Sequence, residues 1–160
     1  MREVSLRFLV GSLVALLAAA GPLAAEEPTL LGTWALDMKA SRNVPEAQKG
    51  VDLRISVKDD QLMLARYLGE VAVGEPLAVV LDGKSHTQKI GGQNATVVAK
   101  WLKLGAKFEQ VVSMPQPGSV LVAVQTIVTE VSPTGTTMTR SYTTRLAKER
   151  EERLLVYRRK

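Results

Sequence analysis

The chain has 160 residues, of which 46% are apolar and 23% are charged, and its formal net charge is +5. These values are typical of one folded domain and argue against wholesale disorder. The absence of cysteine excludes disulfides, thiolate metal sites and cysteine nucleophiles, and a single histidine, His86, leaves almost no room for serine-histidine or multi-histidine metal chemistry.

Residues 1–25 have the layout of a secretory signal peptide. Arg2 and Arg7 precede an apolar block over residues 8–20, and small residues follow it. The block is shorter than the roughly 20 residues that span a bilayer, so we expect no membrane insertion of the mature chain. The sequence predicts cleavage after Ala25 or one residue earlier, and a periplasmic or secreted location.

The positive charge is concentrated at the C-terminus. Without residues 1–25 the formal charge is +4, and residues 145–160 carry all of it with seven basic and three acidic side chains. A nucleic-acid-binding protein would spread basic residues over a face and interleave aromatic residues, which this chain does not do. We therefore expect no nucleic-acid partner, and a solvated basic terminus is favoured over attraction to an acidic surface.

Apolar and polar residues alternate with a period of two along most of residues 26–160, which indicates strands. The turn at residues 58–60 separates the first two of them, and Gly and Pro turns separate the others. Two short pieces at residues 38–45 and 147–152 are predicted as a helical turn and as a helical turn or charged loop. The predicted strands cover residues 51–57, 61–68, 76–81, 85–90, 95–102, 106–114, 119–131, 136–146 and 153–159.

This spacing predicts an all-β fold, a single antiparallel up-and-down β-barrel of about eight strands over residues 26–160, because closure removes exposed strand edges. Residues 119–146 form the longest predicted hairpin. An exposed edge of that length would invite pairing with another chain, so a homodimer through this hairpin is one hypothesis.

The segment GTWALDMKAS resembles the opening strand of lipocalin-like, calycin-type barrels, and especially of small exported bacterial proteins. The turn LDGK, the strand VAKW and the final VYRR are similar to later parts of the same group. The opening match falls on Gly32, Thr33, Trp34, Leu36, Asp37 and Ser41.

The resemblance implies that Trp34 closes one end of the barrel and that an arginine from the last strand packs over its ring. Such a contact contributes about 0.5 to 2 kcal/mol in addition to the buried indole area. If Val156 faces inward, alternation favours Arg158 as this arginine. Gly32 would allow the backbone of another segment or the indole to approach closely.

No catalytic constellation is visible in the sequence. The acidic residues occupy turns or polar strand positions, and the neighbours Ser85 and His86 point to opposite faces of a strand, so they cannot share a proton. We therefore expect a protein that is not an enzyme, with no cofactor and no metal site.

The barrel interior is the candidate ligand site. Arg66 and Arg140 lie mid-strand, and they either face solvent or face inward and require an anionic partner. The resemblance implies binding of a small apolar or amphiphilic molecule, with the candidate contacts Arg66, Tyr67, Trp101, Arg140 and Tyr142. The alternative is a filled barrel that acts as a protein-interaction, envelope-stress or inhibitor module. An outer-membrane barrel is disfavoured because aromatic residues form only 4% of the chain.

Overall fold

The computed structural model describes residues 29–160, so the predicted signal peptide and its cleavage site lie outside the described residues. These residues form eleven strands and one short 3-10 helix over Glu46–Gln48. Within them no helix is long and apolar enough to cross a membrane. The strands are β1 (Gly32–Leu36), β2 (Asp52–Lys58), β3 (Gln61–Leu68), β4 (Val71–Ala72), β5 (Leu77–Val79), β6 (Asp82–Ile90), β7 (Gln93–Lys103), β8 (Lys107–Pro115), β9 (Val122–Val131), β10 (Thr137–Leu146) and β11 (Glu149–Arg159).

All strands belong to one antiparallel up-and-down sheet in the order β4-β3-β2-β1-β11-β10-β9-β8-β7-β6. The predicted all-β class and up-and-down arrangement are therefore confirmed, although the strands are more numerous than predicted. Strand β1 pairs with β11, which joins the first described strand to the last. Strand β5 pairs with β3, whereas β6 pairs with β7 alone, so the wall lacks strand pairing between β5 and β6.

The core lies on the inward face of this sheet, where alternate residues are buried in most of the longer strands. Alternation places side chains of the other parity on the outer face. Strands β9 and β10 each pair on both edges, so the 119–146 hairpin lacks the free edge that the dimer hypothesis requires. The inward residues include Leu53, Ile55, Leu62, Leu64, Ala95, Val97, Phe108, Val112, Ile127, Met138, Leu155 and Tyr157.

Trp34 fills one end of the barrel, which we call the Trp34 end. Its side chain has no exposed surface, and its indole Nε1 donates a hydrogen bond to the carbonyl oxygen of Leu30 at 2.9 Å. The guanidinium carbon of Arg159 lies 4.2 Å from the centre of the Trp34 ring. Arg159 also donates to the carbonyl oxygens of Leu31, Thr29 and Gly135, which connects the start of β1 with the turn before β10.

The arginine over Trp34 is therefore Arg159, and the prediction of Arg158 was wrong. Tyr157 lies opposite Leu36 and Met138 on the inner face, so Arg159 shares that face and Arg158 does not. Arg158 instead donates from Nε to Asp37 Oδ2 at 2.8 Å on the outer face. This hydrogen bond is the largest cause that lowers the pKa of the Asp37 carboxyl.

Two further predictions differ from the structure. Residues 147–152 contain the tight turn before β11 and the first four residues of that strand, because strand pairing with β10 satisfies their backbone groups. Residues 38–45 form a turn and an isolated bridge between Arg42 and Leu154. The short 3-10 helix follows Pro45, so the predicted helical turn lies a few residues too early.

Position 32, at the Trp34 end, requires glycine for two reasons. Its φ is +129°, a conformation that residues with a side chain rarely adopt. A Cβ atom at this position would also lie 2.8 Å from Nη1 of Arg159. A close approach to Gly32 is present, but the approaching group is the Arg159 guanidinium and not the backbone segment or indole that was predicted.

We expect Gly32→Ala to lower the free energy of unfolding by about 2 kcal/mol, because it combines backbone strain with a displaced Arg159. Gly69→Ala is the matched control, since Gly69 also has a positive φ but has no atom within 4 Å of a Cβ. Urea unfolding of both variants measures the difference. Equal losses would contradict the role of the Arg159 contact.

We also expect Arg159→Met to destabilise the protein by about 2 kcal/mol, through loss of the ring contact and the carbonyl hydrogen bonds. Arg158→Met should have a much smaller effect, because the Arg158 pair with Asp37 is exposed. Thermal unfolding of the two variants provides the comparison. A larger loss for Arg158→Met would contradict the assignment of Arg159.

Candidate functional site

Three arginines have the inward-facing parity of their strands: Arg140 is buried, Arg153 is half-buried and Arg66 is exposed. Arg66 comes from β3, Arg140 from β10 and Arg153 from β11. Tyr142 lies between the last two, because it is directly opposite Arg153 and two residues after Arg140. The guanidinium carbon lies 4.2 Å from the Tyr142 ring centre for Arg153 and 5.4 Å for Arg140.

Arg140 is buried and has neutral hydrogen-bond partners. Its Nε donates to Thr129 Oγ1 at 3.2 Å, and its Nη2 lies 3.5 Å from Gln110 Oε1. Within residues 29–160 no carboxylate forms an ion pair with Arg66, Arg140 or Arg153. A buried charge without a counter-ion is unfavourable, so this part of the interior is suited to an anion.

Asp52 is the acidic residue that lines a small cavity beside Arg66 and Arg140, and its negative charge is already paired with a positive one. Its carboxylate pairs with the ammonium of Lys160 at the C-terminus. The cavity therefore keeps an excess of positive charge from Arg66 and Arg140. We call Arg66, Arg140, Arg153, Tyr142 and Tyr157 the basic cluster.

Tyr157 contributes a hydroxyl that stays protonated over the whole physiological range. Its pKa is raised to about 12, with burial as the largest cause and the neighbouring Tyr142 acting in the same direction. The positive charges of Arg140, Arg153 and Arg66 act in the opposite direction and only partly offset this effect. The Tyr157 hydroxyl is therefore a hydrogen-bond donor at neutral pH.

The enclosed cavity beside Arg140 has a volume of about 20 Å³, which is enough for about one water molecule. Two open clefts of about 400 and 190 Å³ lie next to it and share Tyr142 and Arg153 in their walls. Gln48, in the segment between β1 and β2, contributes to the wall of the enclosed cavity. The lining of the enclosed cavity consists of Gln48, Val51, Asp52, Leu53, Arg66, Arg140, Tyr142 and Tyr157.

Three buried polar atoms around the basic cluster have no hydrogen-bond partner. They are Oε1 of Gln48, Nε2 of Gln110 and Nε of Arg153. Most buried polar groups in folded proteins are paired, so such a concentration marks a place where a ligand or water supplies the missing partner. Two of the three atoms are donors, as an anionic acceptor would require.

The structure brings together three of the five predicted contacts, namely Arg66, Arg140 and Tyr142. Tyr67 lies on the outer face, where the guanidinium of Arg54 is 3.8 Å from its ring centre. Its placement as an interior contact was wrong, because Tyr67 has the opposite parity to Leu64 and Arg66 in β3. Trp101 lies toward the Trp34 end of the barrel and lines a different cleft.

Sequence reasoning missed Arg153, Tyr157, Gln110 and Gln48. The first two would have followed from alternation along β11 if Leu155 had been chosen as the inward residue. Val156 is buried as well as Leu155 and Tyr157, so the apolar pattern of β11 does not show which alternate residues face inward. No metal site appears, since no group of three or more His, Cys, Asp or Glu side chains is placed to hold an ion in the described part of the chain.

The arrangement of strands is shared with known solved structures. A secretory abundant heat soluble protein from Ramazzottius varieornatus matches with a TM-score of 0.59 and 13% identity, over 84% of this chain and 99% of the other. A fatty-acid-binding protein from Drosophila melanogaster brain matches with a TM-score of 0.54 and 16% identity, over 81% and 99%. This chain therefore shares the antiparallel β-barrel fold of these proteins.

A zebrafish ileal bile-acid-binding protein complexed with cholic acid also matches, with a TM-score of 0.50 and 14% identity, over 81% of this chain and 98% of the other. No protein-family model matches the chain, and no curated protein matches it. At these identities the likeness establishes the fold. The chemistry of the site has to be argued from the residues themselves.

Tyr157 gives the site a measurable pH dependence. The pKa is higher in the folded protein than the ordinary value of 10.0, so its stabilising contribution is complete below pH 10 and is lost as the pH rises through about 12. Between pH 10 and about 12 we expect the unmodified protein to lose about 2 kcal/mol of unfolding free energy because Tyr157 ionises. The Tyr157→Phe variant should not show this loss. Tyr67→Phe is the outer-face control and should retain the loss. Parallel pH curves for Tyr157→Phe and the unmodified protein would contradict this prediction.

Proposed function

We propose that this protein is an exported, non-enzymatic carrier that binds one amphiphilic molecule with an anionic group. The observation that carries the proposal is the buried guanidinium of Arg140, which faces a cavity together with Arg66, Tyr142 and Tyr157 and has no carboxylate partner among residues 29–160. An anion at this point would accept charge-assisted hydrogen bonds and neutralise the buried charge. The first residues support export, because they have the layout of a signal peptide.

The apolar part of the ligand would lie against Val51 and Leu53, which form the apolar side of the same cavity. An acyl chain or a fused-ring body suits this surface. Two structural neighbours support this class of ligand, since one is a fatty-acid-binding protein and another is complexed with cholic acid. Both kinds of molecule combine an apolar body with a carboxylic acid.

Binding requires the site to open, because the enclosed cavity holds about one water molecule. The segment over residues 45–51 is suited to this movement. Its described backbone hydrogen bonds join only its own residues: Gln48 donates to Pro45, Lys49 to Glu46, and Val51 to Gln48. An outward shift of Gln48 and Val51 would join the enclosed cavity to the two open clefts.

A second candidate function follows from the same small volume. A barrel whose interior is already filled by its own side chains needs no ligand, and it would act through its surface as a protein-interaction module. The packed core around Phe108, Met138 and Leu155 favours this alternative. The two candidates differ in whether the basic cluster binds an amphiphilic anion at all.

Calorimetric titration of the purified protein with dodecanoate tests the proposal, with dodecanol as the uncharged probe. We expect saturable binding of one dodecanoate per chain and much weaker binding of dodecanol. Arg140→Met should reduce the affinity for dodecanoate about 10- to 100-fold, since a charge-assisted hydrogen bond to a buried anion is worth about 1.5 to 3 kcal/mol. Its stability should be unchanged or higher, because an uncompensated buried charge is removed.

Arg54→Met is the matched control, since Arg54 also packs over a tyrosine ring but on the outer face. It should leave the affinity for dodecanoate unchanged. Absence of binding by the unmodified protein would overturn the carrier function in favour of the filled-barrel module. Equal losses in the Arg140 and Arg54 variants would show that the anion is attracted to the surface rather than to the basic cluster.

A further inference from the structure

A second cleft lies in the barrel wall toward the Trp34 end, separate from the basic cluster. The sheet has no pairing between β5 and β6 here, and the chain passes from one strand to the other through Val80 and Leu81. The cleft has a volume of about 360 Å³, which is within the range of small-molecule sites. We call it the wall cleft.

The floor of the wall cleft is apolar. Val57, Leu62, Val80 and Leu81 contribute aliphatic side chains, and Trp101 contributes an indole. The Trp101 ring packs edge-on against Phe108, with ring centres 5.9 Å apart and an interplanar angle of 79°. This contact fixes the indole while Trp101 stays partly exposed toward the cleft.

The rim of the wall cleft is negatively charged. Asp60 and Asp82 line it, and no basic side chain does. Asp82 accepts a hydrogen bond from the backbone N–H of Lys84 at 2.8 Å and lies 2.9 Å from His86 Nε2. The His86 contact is the largest cause that lowers the pKa of the Asp82 carboxyl, so Asp82 is ionised at neutral pH.

The basic groups near this rim differ in how far they offset its charge. His86 forms an ion pair with Asp82 when its imidazole is protonated. Lys100 lies opposite Asp82 in the strand register, but its ammonium is paired with Glu109 at 3.6 Å on the outer face. Asp60 occupies the tight turn before β3 and forms no ion pair with any residue from 29 to 160. Two carboxylates at the rim of an apolar cleft, with an indole in its wall, complement a cation that carries an apolar body.

We propose that the wall cleft binds a small apolar ammonium compound, with its charged group at Asp60 and Asp82 and its apolar body against Trp101 and Leu62. This inference is independent of the proposed carrier function, because it uses different residues and a ligand of opposite charge. The two sites together would let one chain hold an anionic amphiphile and an organic cation at once.

Amide chemical-shift titration by NMR tests the proposal with three probes of matched shape: cyclohexylmethylammonium, cyclohexylmethanol and cyclohexanecarboxylate. We expect the ammonium probe to shift the amides around Trp101 and Val80 in a saturable way at millimolar concentration. The alcohol should bind about three- to tenfold more weakly and the carboxylate more weakly still, since partly exposed ion pairs are worth up to about 1 kcal/mol each.

The double variant Asp60→Asn/Asp82→Asn should abolish the preference for the ammonium probe and retain the weak binding of the alcohol. Asp60→Asn alone should reduce the preference about threefold, and it avoids disturbing the His86 contact. Asp59→Asn is the matched control, because Asp59 is the adjacent carboxylate and does not line the cleft. It should leave ammonium binding unchanged.

Three outcomes would overturn the inference: no saturable shifts, equal affinity for the three probes, or an equal loss in the Asp59 and Asp60 variants. The last would indicate general attraction of cations to an acidic turn. Failure here is distinguishable from failure of the carrier function, since dodecanoate binding at the basic cluster is measured separately.

Discussion

Packing of the Arg159 guanidinium over the buried indole of Trp34 is the interaction on which the rest of the barrel depends. It joins the first described strand to the last, and the same guanidinium reaches three backbone carbonyl oxygens across the Trp34 end. Closure at this end sets the register of β11, and that register fixes which side chains of β10 and β11 face inward. The basic cluster is a consequence of this register.

The interior around Trp34 and the interior around Arg140 differ in how completely their polar groups are paired. Around Trp34 the indole is buried, its Nε1 is hydrogen-bonded, and the Arg159 guanidinium reaches three carbonyl oxygens, which favours stability. Around Arg140 a buried charge has only neutral partners, and three polar atoms lack partners altogether. Such an arrangement is unfavourable in an empty protein and becomes favourable when an anion is bound, which is the usual relation between stability and function at binding sites.

The alternation of apolar residues was sufficient to predict the all-β fold and most strands, whereas the position of Trp34 was implied by the resemblance to lipocalin-like barrels. It was not sufficient to assign faces in β11, because Leu155, Val156 and Tyr157 are all buried and neither parity stands out. That ambiguity produced the choice of Arg158 over Arg159 and concealed Arg153. Gln48 could not be predicted either, since it reaches the cavity from an irregular segment whose path depends on tertiary contacts.

In the proposed carrier, the interior holds an anion against Arg140 and Arg66. NMR of dodecanoate labelled with ¹³C at its carboxyl carbon tests this most directly, because the chemical shift follows the ionisation of the bound group. We expect the pKa of the dodecanoate carboxyl to be lower in the complex than in solution, because the guanidinium groups stabilise the charged form. An unchanged or raised pKa of the bound carboxyl would contradict it.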